Sequence, residues 1–247
     1  MVVSLVGVIV AYCLYEPWGR NLLTAPIDAL AGRTENPFVL SGAFISRLSA
    51  FSSDNEVVSK LKLHFTDPTE VFLVKIKLSM VLGLVLASPV VFFQIWRFIG
   101  AGLTGRERRM VRAAFPATVL LFVTGVALAY LVMFPIVMYF LIVIIGRDIV
   151  PVIKLSSYTS LLSVCCLALG VVFQTPVVIF FLAKLGIVSP SFLVEKRKYA
   201  ILLMFVLASM LTPPDVITQV MMALPMILLY ECGILVARMV WTKRREE

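Results

Sequence analysis

Charged and catalytically useful residues are scarce in this 247-residue chain. Only 15% of the residues are charged and one is histidine, whereas 61% are hydrophobic. The sequence contains no G-x-S-x-G motif and no paired metal ligands, so it lacks the patterns of serine and metal hydrolases. A mean hydropathy of +1.02 lies well outside the range of soluble domains. The composition therefore predicts an integral membrane protein that is not an enzyme.

The four cysteines, Cys13, Cys165, Cys166 and Cys232, all lie inside apolar stretches. Neither their spacing nor their surroundings fit a disulfide framework or a metal site. No redox or metal chemistry is expected from them.

Six apolar blocks predict six transmembrane helices, at residues 1–15, 71–96, 113–145, 161–183, 199–211 and 216–230. The last two reach only about 20 and 22 Å as helices, against a hydrocarbon core of about 30 Å, so both are predicted to be short. They are joined by Thr212, Pro213, Pro214 and Asp215. Pro213 disfavours helix at Thr212, Pro214 suits a first helical turn, and Asp215 suits the positive helix end.

The basic residues cluster in three loops. Residues 97–112, 184–198 and 238–247 hold 13 basic and 4 acidic residues, whereas the opposite side holds 9 of each. The positive-inside rule places these loops and both termini in the cytoplasm, and residues 16–69 outside it. The net charge of +8 is explained by this topology, and no nucleic-acid partner is expected.

Several polar residues within or beside the blocks have two readings each. Glu107 either pairs with neighbouring arginines or binds a partner. Gln174 either packs between helices or serves a function, and Glu231 either marks a functional site or reaches the membrane interface. Glu70 is expected to favour the start of its helix, and Pro89 to kink the same helix.

Four motifs together resemble the TatC family, the polytopic subunit of the twin-arginine protein translocase. They are FTDPTEVF (65–72), ASPVVFFQIWRFIGAGLTGRERR (87–109), VVFQTPVVIFFLAKLGIVSP (171–190) and RKYAILLMFVLASMLTPPDVITQVMMALPMILLYE (197–231). The resemblance implies an all-α, single-domain membrane protein over residues 1–247, with six helices in a concave, cup-like bundle. It also implies export of folded proteins by the proton motive force, without a cofactor.

The same resemblance implies partners and site residues. The partners would be the single-span subunits TatA and TatB, precursors with twin-arginine signal peptides, the lipid of the bacterial cytoplasmic membrane, and further copies of this chain. Signal binding would involve Glu107, Phe98 and Arg109, and partner-helix contact Gln174, Gln219 and Met210. Roles in motifs would belong to Pro26, Pro68, Glu70, Pro89, Pro213, Pro214, Asp215 and Glu231.

Three departures from the family pattern stand out. The N-terminal cytoplasmic helix of the family is absent before Met1, so we expect the natural N terminus to lie upstream. Ala101 replaces a proline usual in the first cytoplasmic loop, and residues 32–64 form a longer segment than is typical. A small-solute transporter is the alternative function, but the sequence lacks the internal repeats and mid-membrane charge pairs that it predicts.

Overall fold

The computed structural model describes Leu23 and residues 63–64, 67–103, 105–141, 153–212 and 215–245. Side chains are described for Leu23 and for residues 67–103, 114–141, 153–212 and 215–241. Block 1–15, Pro26, Pro213 and Pro214 therefore lie outside the described residues, as does nearly all of the predicted extracytoplasmic segment 16–69.

Helices make up almost all of the described chain. In order they are α1 (Pro68–Ala101), α2 (Gly105–Leu128), a π-helical segment (Ala129–Met133), α3 (Phe134–Tyr139), α4 (Leu155–Val172), α5 (Thr175–Leu185), α6 (Pro190–Glu195), α7 (Arg197–Leu211) and α8 (Val216–Arg245). Two short strands, β1 (Leu63–His64) and β2 (Ile153–Lys154), pair in parallel.

Four stretches of the described residues are long and apolar enough to cross a membrane. They are Pro68–Ala101, Ala114–Tyr139, Leu155–Leu185 and Val216–Trp241. They correspond to four of the six predicted blocks. The block at 199–211 forms α7, whose 15 residues confirm the prediction of a short helix.

The prediction that the last helix is also short is wrong. Helix α8 continues past Glu231 to Arg245 and has 30 residues. A single glutamate is a good helix former and does not end a helix, and the residues that follow Glu231 are again mostly apolar. Pro225 lies inside this helix, as Pro89 does inside α1.

Two other boundaries differ from the sequence reading. Most of the basic loop predicted at 97–112 is helical, because α1 extends to Ala101 and α2 begins at Gly105. Conversely, the block 161–183 is interrupted by a turn at Phe173 and Gln174. Pro176 has no N–H to donate to the preceding turn, which explains why a new helix starts there.

The chain divides into two compact units, one formed by Met1–Ser88 with Ala127–Leu167 and the other by Pro89–Val126 with Ala168–Glu247. In the first unit, the ring of Phe134 packs edge-on against Tyr158 at 5.1 Å. The hydroxyl of Tyr158 donates to the carbonyl of Leu23 at 3.0 Å. In the second, Ile179, Tyr230 and Ile234 belong to one buried cluster that joins α5 to α8.

Glycines allow close helix contact in the second unit. A Cβ on Gly125 of α2 would lie 2.8 Å from Phe173 Cγ and 2.9 Å from the carbonyl oxygen of Leu169 in α4. A Cβ on Gly170 would lie 2.8 Å from Phe122 Cε2. The contact is reciprocal, which is typical of membrane helices that approach through small residues.

Replacing Gly125 with alanine should therefore destabilise the fold. Overpacking costs about 1–3 kcal/mol, which exceeds the gain of up to about 1 kcal/mol in helix propensity. The thermal unfolding midpoint of the purified protein in detergent should fall. Gly102→Ala is the control, since its Cβ would meet nothing closer than 3.8 Å. Equal midpoints for the two variants would contradict the prediction.

Candidate functional site

The connection between α1 and α2 is short and presents an exposed aromatic ring. Phe98 lies in the last turn of α1 and is 83% exposed. The N–H of Gly102 donates to the carbonyl of Ile99 at 3.2 Å, which closes the turn. Glu107 and Arg109 follow in the first turns of α2, so their backbone is helical, and their side chains lie outside the described residues.

Trp96, Thr118 and Gln174 form a small polar cluster in the second unit. The indole Nε1 of Trp96 donates to Thr118 Oγ1 at 3.0 Å, and that hydroxyl donates to the carbonyl of Ala114 at 3.0 Å. The amide Nε2 of Gln174 donates to the carbonyl of Thr118 at 3.2 Å. The amide oxygen Oε1 of Gln174 is buried and has no hydrogen-bond partner in the described part of the chain.

The same cluster borders a cavity of about 330 Å³. Its lining is apolar apart from Trp96, Thr118 and Gln174, and comprises Phe92, Ile95, Trp96, Ile99, Thr118, Gln174, Val177, Val178, Phe181, Leu182 and Leu185. Only apolar atoms face the cavity, although Trp96, Thr118 and Gln174 belong to its lining. An apolar occupant would therefore match it.

Asp215 caps the start of α8. Its Oδ2 accepts from the N–H of Thr218 at 2.8 Å and its Oδ1 from the Thr218 hydroxyl at 2.6 Å. This N-cap confirms the predicted placement of Asp215 at the start of the last helix. In the next turn, Gln219 Nε2 donates to the carbonyl of Phe205 at 3.0 Å. Met210 is exposed on α7.

Glu231 forms an ion pair that sequence reasoning missed. Arg197 Nη2 lies 2.7 Å from Glu231 Oε2, and both side chains are partly exposed. The pair joins the start of α7 to the middle of α8, so Glu231 has a structural partner. No sequence signal identifies this pairing, because the two residues are 34 positions apart.

Glu70 also has a partner beyond its own helix. It is 7% exposed, and its Oε1 accepts from the N–H of Ser156 at 2.8 Å. Ser156 lies in the first turn of α4, so the Glu70 side chain caps a helix 86 residues away. Two turns further along α1, Lys77 Nζ donates to the hydroxyl of Ser160 at 2.8 Å.

The described site residues contact residues that were not predicted as part of a site. Gln174 donates to Thr118, which also accepts from Trp96. Pro68 is the first residue of α1, three residues before the predicted start of the apolar block at 71. In the described residues, no group of three His, Cys, Asp or Glu side chains is placed to hold a metal ion.

Comparison with known proteins shows the family. The family model of the Sec-independent protein translocase protein (TatC) matches residues 1–225 of this chain. The chain belongs to the TatC family. A TatC from Carboxydothermus hydrogenoformans is 42% identical over 185 residues, covering 74% of this chain and 76% of the relative. A TatC from Desulforapulum autotrophicum is 34% identical over 239 residues, covering 97% and 78% respectively.

Solved structures of TatC have the same fold. A crystal structure of the twin arginine translocase receptor TatC in DDM matches with a TM-score of 0.76 and 29% identity, covering 96% of this chain and 93% of that chain. A second crystal structure of this receptor gives a TM-score of 0.70. The TatC family is a family of transport components, and its members are not classed as enzymes.

The capping role of Glu70 yields a prediction for this TatC protein. Glu70→Ala should lower the thermal unfolding midpoint, because it leaves the N–H of Ser156 without its acceptor at a cost of about 1–3 kcal/mol. Glu70→Gln keeps an acceptor oxygen and should lose less. Midpoints for both variants that match the unchanged protein would show that the bond contributes nothing.

Proposed function

We propose that this chain is the twin-arginine signal-peptide receptor and core membrane component of a Tat translocase. It would export folded proteins across the bacterial cytoplasmic membrane at the expense of the proton motive force, without a cofactor. The family match supports this proposal most directly. A single domain of six helices in a cup, with both termini in the cytoplasm, is the matching architecture, with the first helix in block 1–15 and the fifth formed by short α7.

Signal binding is assigned to the α1–α2 connection. A carboxylate at Glu107 can hold an arginine guanidinium through two parallel charge-assisted hydrogen bonds. Phe98 offers an exposed ring within one turn of the end of α1, suited to the apolar or cationic part of a signal peptide. Arg109, two residues beyond Glu107 on α2, is assigned to the same signal-binding surface.

Partner helices are assigned to the second unit. The apolar cavity that Gln174 helps to line suits apolar side chains of a single-span helix of TatA or TatB. Met210 and Gln219 extend the contact surface on α7 and α8. Gln219 already donates to Phe205, so its carbonyl oxygen is the atom available for a partner.

Glu107→Ala should weaken photocrosslinking from a twin-arginine signal peptide by roughly 10- to 100-fold. A hydrogen bond to a charged group contributes about 1.5–3 kcal/mol. A Lys-Lys signal should crosslink as weakly to the unchanged protein, because lysine keeps the charge and loses the planar fork. Glu195→Ala, which removes an exposed acid from another basic loop, is the control. If neither Glu107→Ala nor the Lys-Lys signal reduced crosslinking, the signal peptide would bind elsewhere.

Gln174→Leu should abolish partner contact without harming the fold. The substitution removes one weak bond together with an unsatisfied acceptor, so the unfolding midpoint should stay nearly constant. Disulfide crosslinking from a cysteine at Val178, which lines the same cavity, to TatA or TatB should be lost. Gln94→Leu, on the exposed side of α1, should leave it intact. Unchanged crosslinking in Gln174→Leu would remove Gln174 from the contact.

A further inference from the structure

A compact surface of aromatic, apolar and basic side chains surrounds α6 and the start of α7. Ile187, Phe192 and Tyr199 are 67%, 50% and 57% exposed. Lys196 Nζ lies 5.9 Å from the ring centres of both Phe192 and Tyr199, and Lys198 Nζ lies 5.1 Å from Tyr199. These five residues are called the α6 surface below.

Neither lysine of the α6 surface is held in a strong ion pair. The neighbouring Arg197 is engaged by Glu231 at 2.7 Å. Lys196 contacts Glu195 at 3.0 Å, but the side chains are 43% and 72% exposed, and such pairs contribute little. Lys198 has no carboxylate partner among the described residues. An anionic ligand would therefore not have to displace a strong ion pair.

The backbone beneath the α6 surface is held firmly. Leu193 is buried, and its carbonyl accepts from the hydroxyl of Tyr230 in α8 at 2.9 Å. The Oγ of Ser189 accepts from the N–H of Phe192 at 3.2 Å and caps α6. Because Leu193 faces the core, Phe192 beside it is fixed outward. The exposed ring is thus a consequence of local packing.

The exposed residues of α7 that follow the α6 surface indicate its depth in the membrane. Directly after Tyr199, the exposed side chains become apolar at Leu202, Leu203 and Val206. Such a face borders hydrocarbon, so the lysines and Tyr199 lie where the apolar part of the helix ends. Aromatic rings and basic side chains prefer that boundary, at the depth of the lipid headgroups.

We propose that the α6 surface binds the phosphate headgroup of an anionic phospholipid. Lys196 and Lys198 would hold the phosphate, and Phe192 and Ile187 would lie against the upper acyl region. An anionic lipid fits better than an acidic protein segment because the surface is continuous with the lipid-facing side of α7. The positive-inside pattern also places it in the leaflet where anionic lipids attract basic residues.

The test is a titration of the full-length, detergent-solubilised chain with dioctanoyl phosphatidylglycerol, followed by native mass spectrometry. Dioctanoyl phosphatidylcholine should bind more weakly. The double variant Lys196→Gln/Lys198→Gln should lose about 25-fold in affinity for phosphatidylglycerol, at about fivefold per lysine. Lys196→Arg/Lys198→Arg should retain it. Glycerol phosphate, which has the headgroup without acyl chains, should not compete at equal concentration.

The control is Lys77→Gln/Lys154→Gln, which removes the same charge from two lysines of the other unit. Its affinity for phosphatidylglycerol should stay within about threefold of the unchanged protein, well short of the loss expected from two headgroup-level lysines. Equal binding of the two lipids, an unchanged affinity in the α6 double variant, or an equal loss in the control would overturn the proposal. Competition by glycerol phosphate would mean that the site takes a soluble phosphate and not a lipid.

Discussion

The absence of water from hydrocarbon is the constraint on which most of this structure depends. A polar group placed there must find its hydrogen bond within the protein. Within the apolar stretches, Gln174 donates to the carbonyl of Thr118 and Trp96 to its hydroxyl. Nearer the ends of these stretches, Glu70 meets Ser156 and Glu231 meets Arg197, each across two different helices. These few polar contacts fix which helices are neighbours, since apolar side chains alone pack against lipid as well as against protein.

The same constraint makes the exceptions informative. Pro176 cannot donate to the preceding turn, so the helix is interrupted at Phe173 and Gln174, and the amide of Gln174 turns to the carbonyl of Thr118. Its second polar atom is left buried and without a partner. A helix break in mid-chain and an unsatisfied oxygen thus share one cause, and Gln174 lines the apolar cavity of the second unit.

The sequence predicts the parts of this structure that depend on local chemistry. The apolar blocks, the short α7 and the N-cap at Asp215 follow from hydropathy and from turn residues. The pairing of Glu231 with Arg197, 34 residues earlier, does not. A charge at the end of an apolar run looks like a boundary until its partner is known. For Glu70 the sequence likewise indicates a role only at the start of its own helix. Its bond to Ser156 joins residues 86 positions apart and leaves no local signal.

The shortened α1–α2 connection changes how an acid at Glu107 can act. A glycine-rich loop would have to be ordered when a signal peptide binds, and fixing the backbone of each residue costs about 1–2 kcal/mol. Because α2 begins at Gly105, the backbone at Glu107 is already fixed before binding, and the free amides of the first helical turn favour a negative charge there. The departure of Ala101 from the proline of the family is accommodated by extending α1 to that residue. The helix therefore supplies at Ala101 the rigidity that a proline would otherwise provide.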